Sequence, residues 1–167
     1  QVNYSKSSAF HLSVLGYEFP DTIMILMKDN FYFMAHTKKC TYIETAAKMK
    51  PDSPIKIKTF VKGKDPVANK ENFDLLIKAM LEGNENKKVG TLLKEKSLGN
   101  FIGSWSEALQ ASGLTTVDCA LPLGKVLSIK DESELELCKR AAALSNKVMK
   151  HGFIAEMEEI IDKDSKV

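Results

Sequence analysis

Apolar positions along this chain change their spacing several times, and each change predicts an element. The opening "SKSSAFHLSVLGYEFPDT" predicts a short helix from Ser7 or Ser8 that stops at Gly16, because glycine takes the left-handed conformation that closes a helix without steric penalty. Pro20 then blocks a restart. Two apolar runs follow, "TIMILM" and "FYFMAH", joined by the turn residues Lys28, Asp29 and Asn30, which is a hairpin signal. Both runs are apolar throughout, so burial on two faces is expected. In "TKKCTYIETAAKMK", Cys40, Ile43 and Ala47 recur at helical spacing, with Thr37 as the expected cap and Pro51 and Pro54 as the stop. "IKIKTFV" alternates instead. Ile55 and Ile57 should face inward and Lys56 and Lys58 outward, as in a half-exposed or edge strand.

The rhythm then becomes helix, strand, helix, strand. "NKENFDLLIKAMLEG" sets Phe73, Leu76, Ile77 and Met80 on one face between an Asn69 cap and Gly83, and "KKVGTLL" follows as a strand. "NFIGSWSEALQASG" sets Phe101, Ile102, Trp105 and Leu109 on one face, capped by Asn100 and closed by Gly113, before a strand at "TTVDCA". Such alternation implies an α/β fold: a mixed sheet covered by helices on both faces, because a crossover helix must pack back onto its sheet. "LPLGKVLSIK" carries the chain across to a long helix. Neither an internal repeat nor a low-complexity stretch interrupts the pattern.

The long helix should begin at Asp131, whose carboxylate can accept orphan backbone N–H groups while Glu134 reaches back to complete a capping box. Leu135, Cys138, Ala142, Ser145 and Met149 recur at three- and four-residue steps, and Leu137, Ala141, Leu144 and Val148 widen the stripe. That apolar face calls for a cover. Its small residues, Ala141 to Ser145, would let another backbone approach closely, which suits a connector helix between two bodies. After Gly152, Phe153, Met157, Ile160 and Ile161 give a further amphipathic piece without an obvious partner.

Composition narrows the function. A chain of 167 residues is enough for one domain, with roughly 70% of its unfolded surface buried on folding. No apolar run approaches the about 20 residues of a membrane helix, and "QVNYSKSS" has neither the charged nor the apolar region of a secretion signal. Cys40, Cys119 and Cys138 fall at unrelated spacings, which fits reduced thiols rather than a disulfide framework. The net charge of +2 is too small to imply nucleic acid, and Arg140 is the only arginine, so bidentate readers of phosphate or guanine are almost missing. Direct DNA reading is not expected.

Candidate chemistry is sparse. His11, His36 and His151 have no second ligand at metal-binding spacing, so structural roles are expected and no metal site. Cys119 beside Asp118 is the one tempting nucleophile, although the base it needs is not visible in the sequence. "VKGKDP" lacks the phosphate-loop spacing, and "GNFIGSW" opens a soluble helix. The lysines of "IKIKTFVKGK" form a basic stripe that an edge strand needs simply to resist aggregation. "DESELE" complements a helix dipole. Trp105 belongs with the core. From the residues alone, the chain reads as an α/β lobe ending in a connector, with no catalytic or cofactor-binding constellation.

Five stretches in order, "LGYEFPDTIMIL", "KK", "NFIGSW", "IKDESELELCKRAA" and "EIIDKDSKV", resemble the amino-terminal domain of the large subunit of the FACT histone chaperone over essentially the whole chain. "IKDESEL" is also similar to the connector of creatinases and aminopeptidases P. The resemblance implies a creatinase-like amino-terminal lobe at residues 1–127, with a helix and a strand expected upstream of it. It further implies a connector at 128–152 and, at 153–167, the start of a pita-bread lobe. In the wider family that second lobe holds two metals and hydrolyses peptides, whereas FACT relatives lack the ligands. The implied role is therefore a non-catalytic histone- or peptide-binding module without cofactor. It would act in nucleosome disassembly and reassembly during transcription, replication and repair, on chromosomes in the nucleus. Core histones would be bound mainly through the second lobe, and the smaller FACT subunit through other domains; no membrane is implied. No residue of this lobe matches a family contact. The alternative is the regulatory lobe of an active metal-dependent aminopeptidase or prolidase.

Overall fold

In the computed structural model, which describes residues 5–64, 66–82, 84–95 and 99–163, the chain divides into two units, residues 1–124 and 125–167. The first unit opens with α1 (Lys6–Leu15), which starts one or two residues earlier than its sequence suggests because Ser5 is the cap, accepting the Ser8 N–H. Gly16 closes the helix as expected, at φ 69° and with its N–H on Leu12 O. Next come β1 (Ile23–Leu26) and β2 (Asn30–Ala35), an antiparallel hairpin in which Ile23 faces Met34 and Leu26 faces Phe31. α2 (Thr37–Lys48) then returns the chain to β3 (Lys56–Val61), which runs parallel to β2 at the edge of a sheet ordered β1-β2-β3. Thr37 is not the cap. His36 occupies that position and its side chain makes no capping bond.

β2 is the centre of the unit. Its alternating side chains go to opposite faces: Phe31, Phe33 and Ala35 pack with Phe19, Cys40 and Ile43, and Tyr32 and Met34 pack with Phe73 and Leu76. The expected burial on two faces therefore holds for β2, where Phe33 and Met34 are fully enclosed. It fails for β1, whose burial falls off toward an exposed Leu26. β3 lies at the sheet edge as expected, but its alternation does not hold: Ile55 and Ile57 are exposed along with Lys56 and Lys58, and only Thr59 and Phe60 are partly covered.

α3 (Pro66–Glu82) starts three residues before Asn69, with a proline at the first turn, where its missing N–H costs nothing. Asn69 instead reaches back to Gly63, accepting its N–H and donating to its carbonyl, both at 3.0 Å. Gly83 lies outside the described residues. β4 (Lys88–Thr91), α4 (Asn100–Ala111) and β5 (Thr115–Asp118) form a parallel crossover unit with Val89 opposite Thr116. Asn100 is the first helical residue and Gly99 the cap, and Gly113 takes a left-handed φ of 77° after the helix.

One correction concerns the sheet itself. Where a single mixed sheet was expected, β4 and β5 pair only with each other, so the described strands form a three-stranded and a two-stranded sheet. A shared helical layer nevertheless unites them: Met80, Leu109 and Leu114 pack with Ile25 and Met27 of one sheet region and Val89 of the other. "LPLGKVLSIK" carries the chain across largely as a helix. Most of it is α5 (Ala120–Ser128), begun by Asp118, whose carboxylate accepts the Ala120 N–H, and able to hold Pro122 because that residue lies in the first turn.

In the second unit α6 (Glu132–Val148) carries the anticipated capping box: Glu134 N–H donates to Asp131 at 2.8 Å and Asp131 N–H to the Glu134 carboxylate at 3.1 Å. Gly152 does not end this helix. It lies in a π-helical turn, Met149–Ile154, that leads straight into α7 (Ala155–Asp162). No helix of the described chain is long and apolar enough to cross a membrane.

Candidate functional site

The residues singled out for chemistry are dispersed, and each has a local task. His11, on α1, accepts the Phe19 N–H on Nδ1 at 3.2 Å and so ties the helix to the turn that follows. Burial pushes this imidazole below its ordinary value; Glu18 pulls it back up, and Lys39 lowers it further. His36 sits at the start of α2 with Nε2 3.8 Å from Asp21, and His151 is exposed in the π turn. Asp21 adopts a left-handed φ of 56°, a conformation aspartate tolerates better than most residues, and its carboxylate also holds Lys62. Lys62 in turn lies 4.1 Å from the Phe101 ring centre. Among the described residues, no three histidine, cysteine or acidic side chains converge as a metal site would require.

The thiols are equally local. Cys40 is buried with Sγ 3.3 Å from the carbonyl oxygens of Ala35 and Phe60, and burial raises this thiol above its ordinary value. The first of those carbonyls acts in the opposite sense and Glu44 in the same one. Cys119 is half-buried against Gly90: a Cβ at Gly90 would come within 3.0 Å of Cys119 Cβ, a tight contact that the glycine avoids. Asp118 is not its base, being spent on the start of α5. Cys138 is exposed on α6. A nucleophile with an adjacent base is therefore not assembled at Cys119 from these groups.

Lys58 lies 5.3 Å from the Tyr32 ring centre and Lys56 opens β3, so the basic stripe is the charged surface of an edge strand. Trp105 packs edge-on to Phe73 with ring centres 5.4 Å apart, inside the core. The acidic residues are of two kinds. Glu134 closes the capping box, Glu136 lies 3.9 Å from Lys139, and Glu159 pairs with Lys163. Glu132, Glu156, Glu158 and Asp162 are exposed, and Asp164 lies outside the described residues. Beside them runs an uncovered apolar stripe. Leu137, Leu144, Val148 and Phe153 are each more than half exposed, and α6 has no buried residue.

A feature the sequence does not reveal is a cleft in the first unit between β1 and β4, with Trp105 and Leu109 of α4 in its wall. Two adjoining spaces, of about 460 and 530 Å³, share Met24, Leu26, Gly90 and Thr91. Only the pairing of strands, not their composition, could have shown that these two edges face an opening.

Comparison with known proteins supplies what the geometry does not. A relative from Arabidopsis thaliana, named FACT complex subunit SPT16, is 31% identical over 173 residues, covering 99% of this chain and 16% of the relative. Another of that name from Gibberella zeae is 32% identical over 167 residues, covering 98% and 16%. The chain thus spans about a sixth of the length of these relatives. Among solved structures, the N-terminal domain of FACT complex subunit SPT16 from chickpea, Cicer arietinum, superposes with a TM-score of 0.84 at 29% identity, covering 99% of this chain and 38% of that one. The corresponding domain from Eremothecium gossypii gives 0.81 at 28% identity, covering 95% and 37%. With residues 1–122 also matching the family described as the FACT complex subunit SPT16 N-terminal lobe domain, this chain belongs to that family.

Proposed function

We propose that this chain is part of the amino-terminal, non-catalytic binding module of a FACT-type histone chaperone, working on chromatin in the nucleus during nucleosome disassembly and reassembly. The observation that carries this reading is its likeness to a solved SPT16 N-terminal domain across 99% of its length. The architecture is taken as the creatinase-like lobe, residues 1–127, followed by a connector at 128–152 and the first part of a pita-bread lobe from 153. The smaller FACT subunit would be engaged through other domains. The relatives compared carry the name of a FACT subunit, which supports this reading over the peptidase alternative.

Core histones are strongly basic, so the surface that meets them should be acidic. The first unit has no net acidity, since residues 1–124 of the sequence carry 16 lysines against 13 acidic residues. The exposed Glu156 and Glu158, with Glu159 beside them on α7, are the better candidates, and the uncovered apolar stripe on the same helical run suggests that this surface is shared with a second lobe. Reversing Glu156, Glu158 and Glu159 to lysine in the two-lobed protein should weaken binding of fluorescently labelled core histones and flatten its salt dependence, whereas Lys56→Glu with Lys58→Glu should leave both nearly unchanged. The opposite order of effects would move the site onto the α/β lobe; no binding at all by the two-lobed protein would sink the reading.

A further inference from the structure

We infer that the outer edge of β3 is a docking site for an extended acidic peptide, in which acidic and apolar side chains alternate and which adds to the sheet as a further strand. The hydrogen-bond phase of β3 leaves that edge open. Lys56 N–H donates to Asp29 O at 2.9 Å and Lys62 N–H to Ala35 O at 2.8 Å. In a parallel ladder alternate residues give both backbone groups to the same neighbour, so Lys56, Lys58 and Phe60 are turned toward β2, and Ile57 and Thr59 away from it. β3 is the last strand of its sheet, and neither Ile57 nor Thr59 has a backbone partner on the outer side among the described residues. The open run has definite ends. Ser53 Oγ accepts the Ile55 N–H at 3.3 Å, and the Asn72 side-chain amide donates to Val61 O at 3.2 Å. Between them the Ile55 carbonyl, both groups of Ile57 and Thr59, and the Val61 N–H are left for a strand of about five residues.

The side chains that flank those groups set the chemistry of the partner. Lys56 and Lys58 are exposed on one face of β3, and Ile55 and Ile57 on the other. Residues directly opposite across two strands share a face, so those set against Lys56 and Lys58 should be acidic and the one set against Ile57 apolar. The chain's own carboxylates do not serve these lysines. Glu44 accepts the Thr59 hydroxyl on the Ile57 face, and neither Lys56 nor Lys58 forms an ion pair among the described residues.

A second copy of the chain does not fit. Antiparallel pairing of two β3 edges about Ile57 would set Lys56 against Lys58 twice over, and like charges directly opposite are destabilising. Lysines on an edge strand bar self-association in this way, but they do not bar a strand of opposite charge. Basic segments such as those of histones are repelled by the same lysines, so this edge is not the proposed histone surface and does not depend on it.

Fluorescence anisotropy of the 167-residue chain with a labelled synthetic peptide of alternating glutamate and valine tests the proposal. Binding should saturate, and N-methylation of the peptide's backbone amides should weaken it by about tenfold or more, as should grouping the same glutamates at one end. Lys56→Glu with Lys58→Glu should weaken it by about as much. The peptide comparisons use the unaltered chain, so they stand whether or not that variant folds. At saturation, amide exchange at Ile57, Thr59 and Val61 should slow by about tenfold or more, while Lys58 and Phe60, already bonded to β2, change little. Absence of saturable binding overturns the proposal, as does unchanged exchange at Ile57 and Thr59. Equal binding of the grouped peptide, or of a single-stranded oligonucleotide of equal charge, would make the edge a plain basic patch and overturn it too. Slow exchange at Ile57 and Thr59 without peptide, together with a dimeric mass, would assign the edge to a second copy and equally overturn it.

Discussion

Asn69 and His11 show how much a single polar side chain can organise here. Asn69 holds both backbone groups of Gly63 from within α3, and an amide doing two such tasks is worth about 1–3 kcal/mol when its removal leaves partners unsatisfied. Asn69→Ala should lower Tm by several degrees, at about 2–4 °C per kcal/mol for a chain of this size, while Asn100→Ala should do far less because Asn100 makes no cap. Thermal melts of the two variants compare them directly. His11 makes a prediction with a sign. Its folded-state pKa is lowered by burial, so the unfolded chain binds the extra proton first, and a protonated Nδ1 could not accept the Phe19 N–H. The stability His11 contributes is complete above the ordinary histidine value of 6.5 and is lost as pH falls below it. Denaturant titrations across that range should show a fall in stability that His11→Gln reduces.

Among the elements, the helix ends separate what local sequence can specify from what it cannot. The Asp131–Glu134 box is legible because all its partners lie within three residues, and it forms as expected. Asp131→Ala should cost about 1 kcal/mol and, more specifically, speed amide exchange at Glu132 to Leu135 while leaving β2 unaffected. Equal change at both places would show that the box supports more than its own helix. Asn69 and Asn100 look like caps on the same grounds and are not. Each helix starts earlier than its asparagine would have set it, because Pro66 can begin a first turn and Asn100 follows a Gly99 held at φ 111°. Gly152 misleads in the other direction. A glycine inside a helix costs only about 0.5–1 kcal/mol against alanine, and a π turn accommodates it where a stop seemed due.

For the whole molecule, the histidines and thiols are scattered, and no three histidine, cysteine or acidic side chains converge among the described residues. Extensively dialysed protein should hold well under one zinc or manganese per chain, and a chelator should leave Tm unchanged; about one tightly held metal per chain, with chelator-sensitive dipeptide cleavage, would overturn the non-catalytic reading. The alternation of strands and helices, the buried centre at Phe33 and Met34, the hairpin and the capped α6 could all be read from residue order, since each rests on spacing over a few neighbours. What no local pattern carries is which edges meet. That β4 and β5 stand apart from β1, that the Thr91 hydroxyl is buried without a partner among the described residues, and that a Cβ at Gly90 would crowd Cys119 depend on residues far apart in the chain and brought together by packing. Spacing along a chain encodes which side of an element is apolar; hydrogen-bond pairing across strands is settled only when those sides find each other, so elements were written in the order of residues and the cleft between them only in the fold.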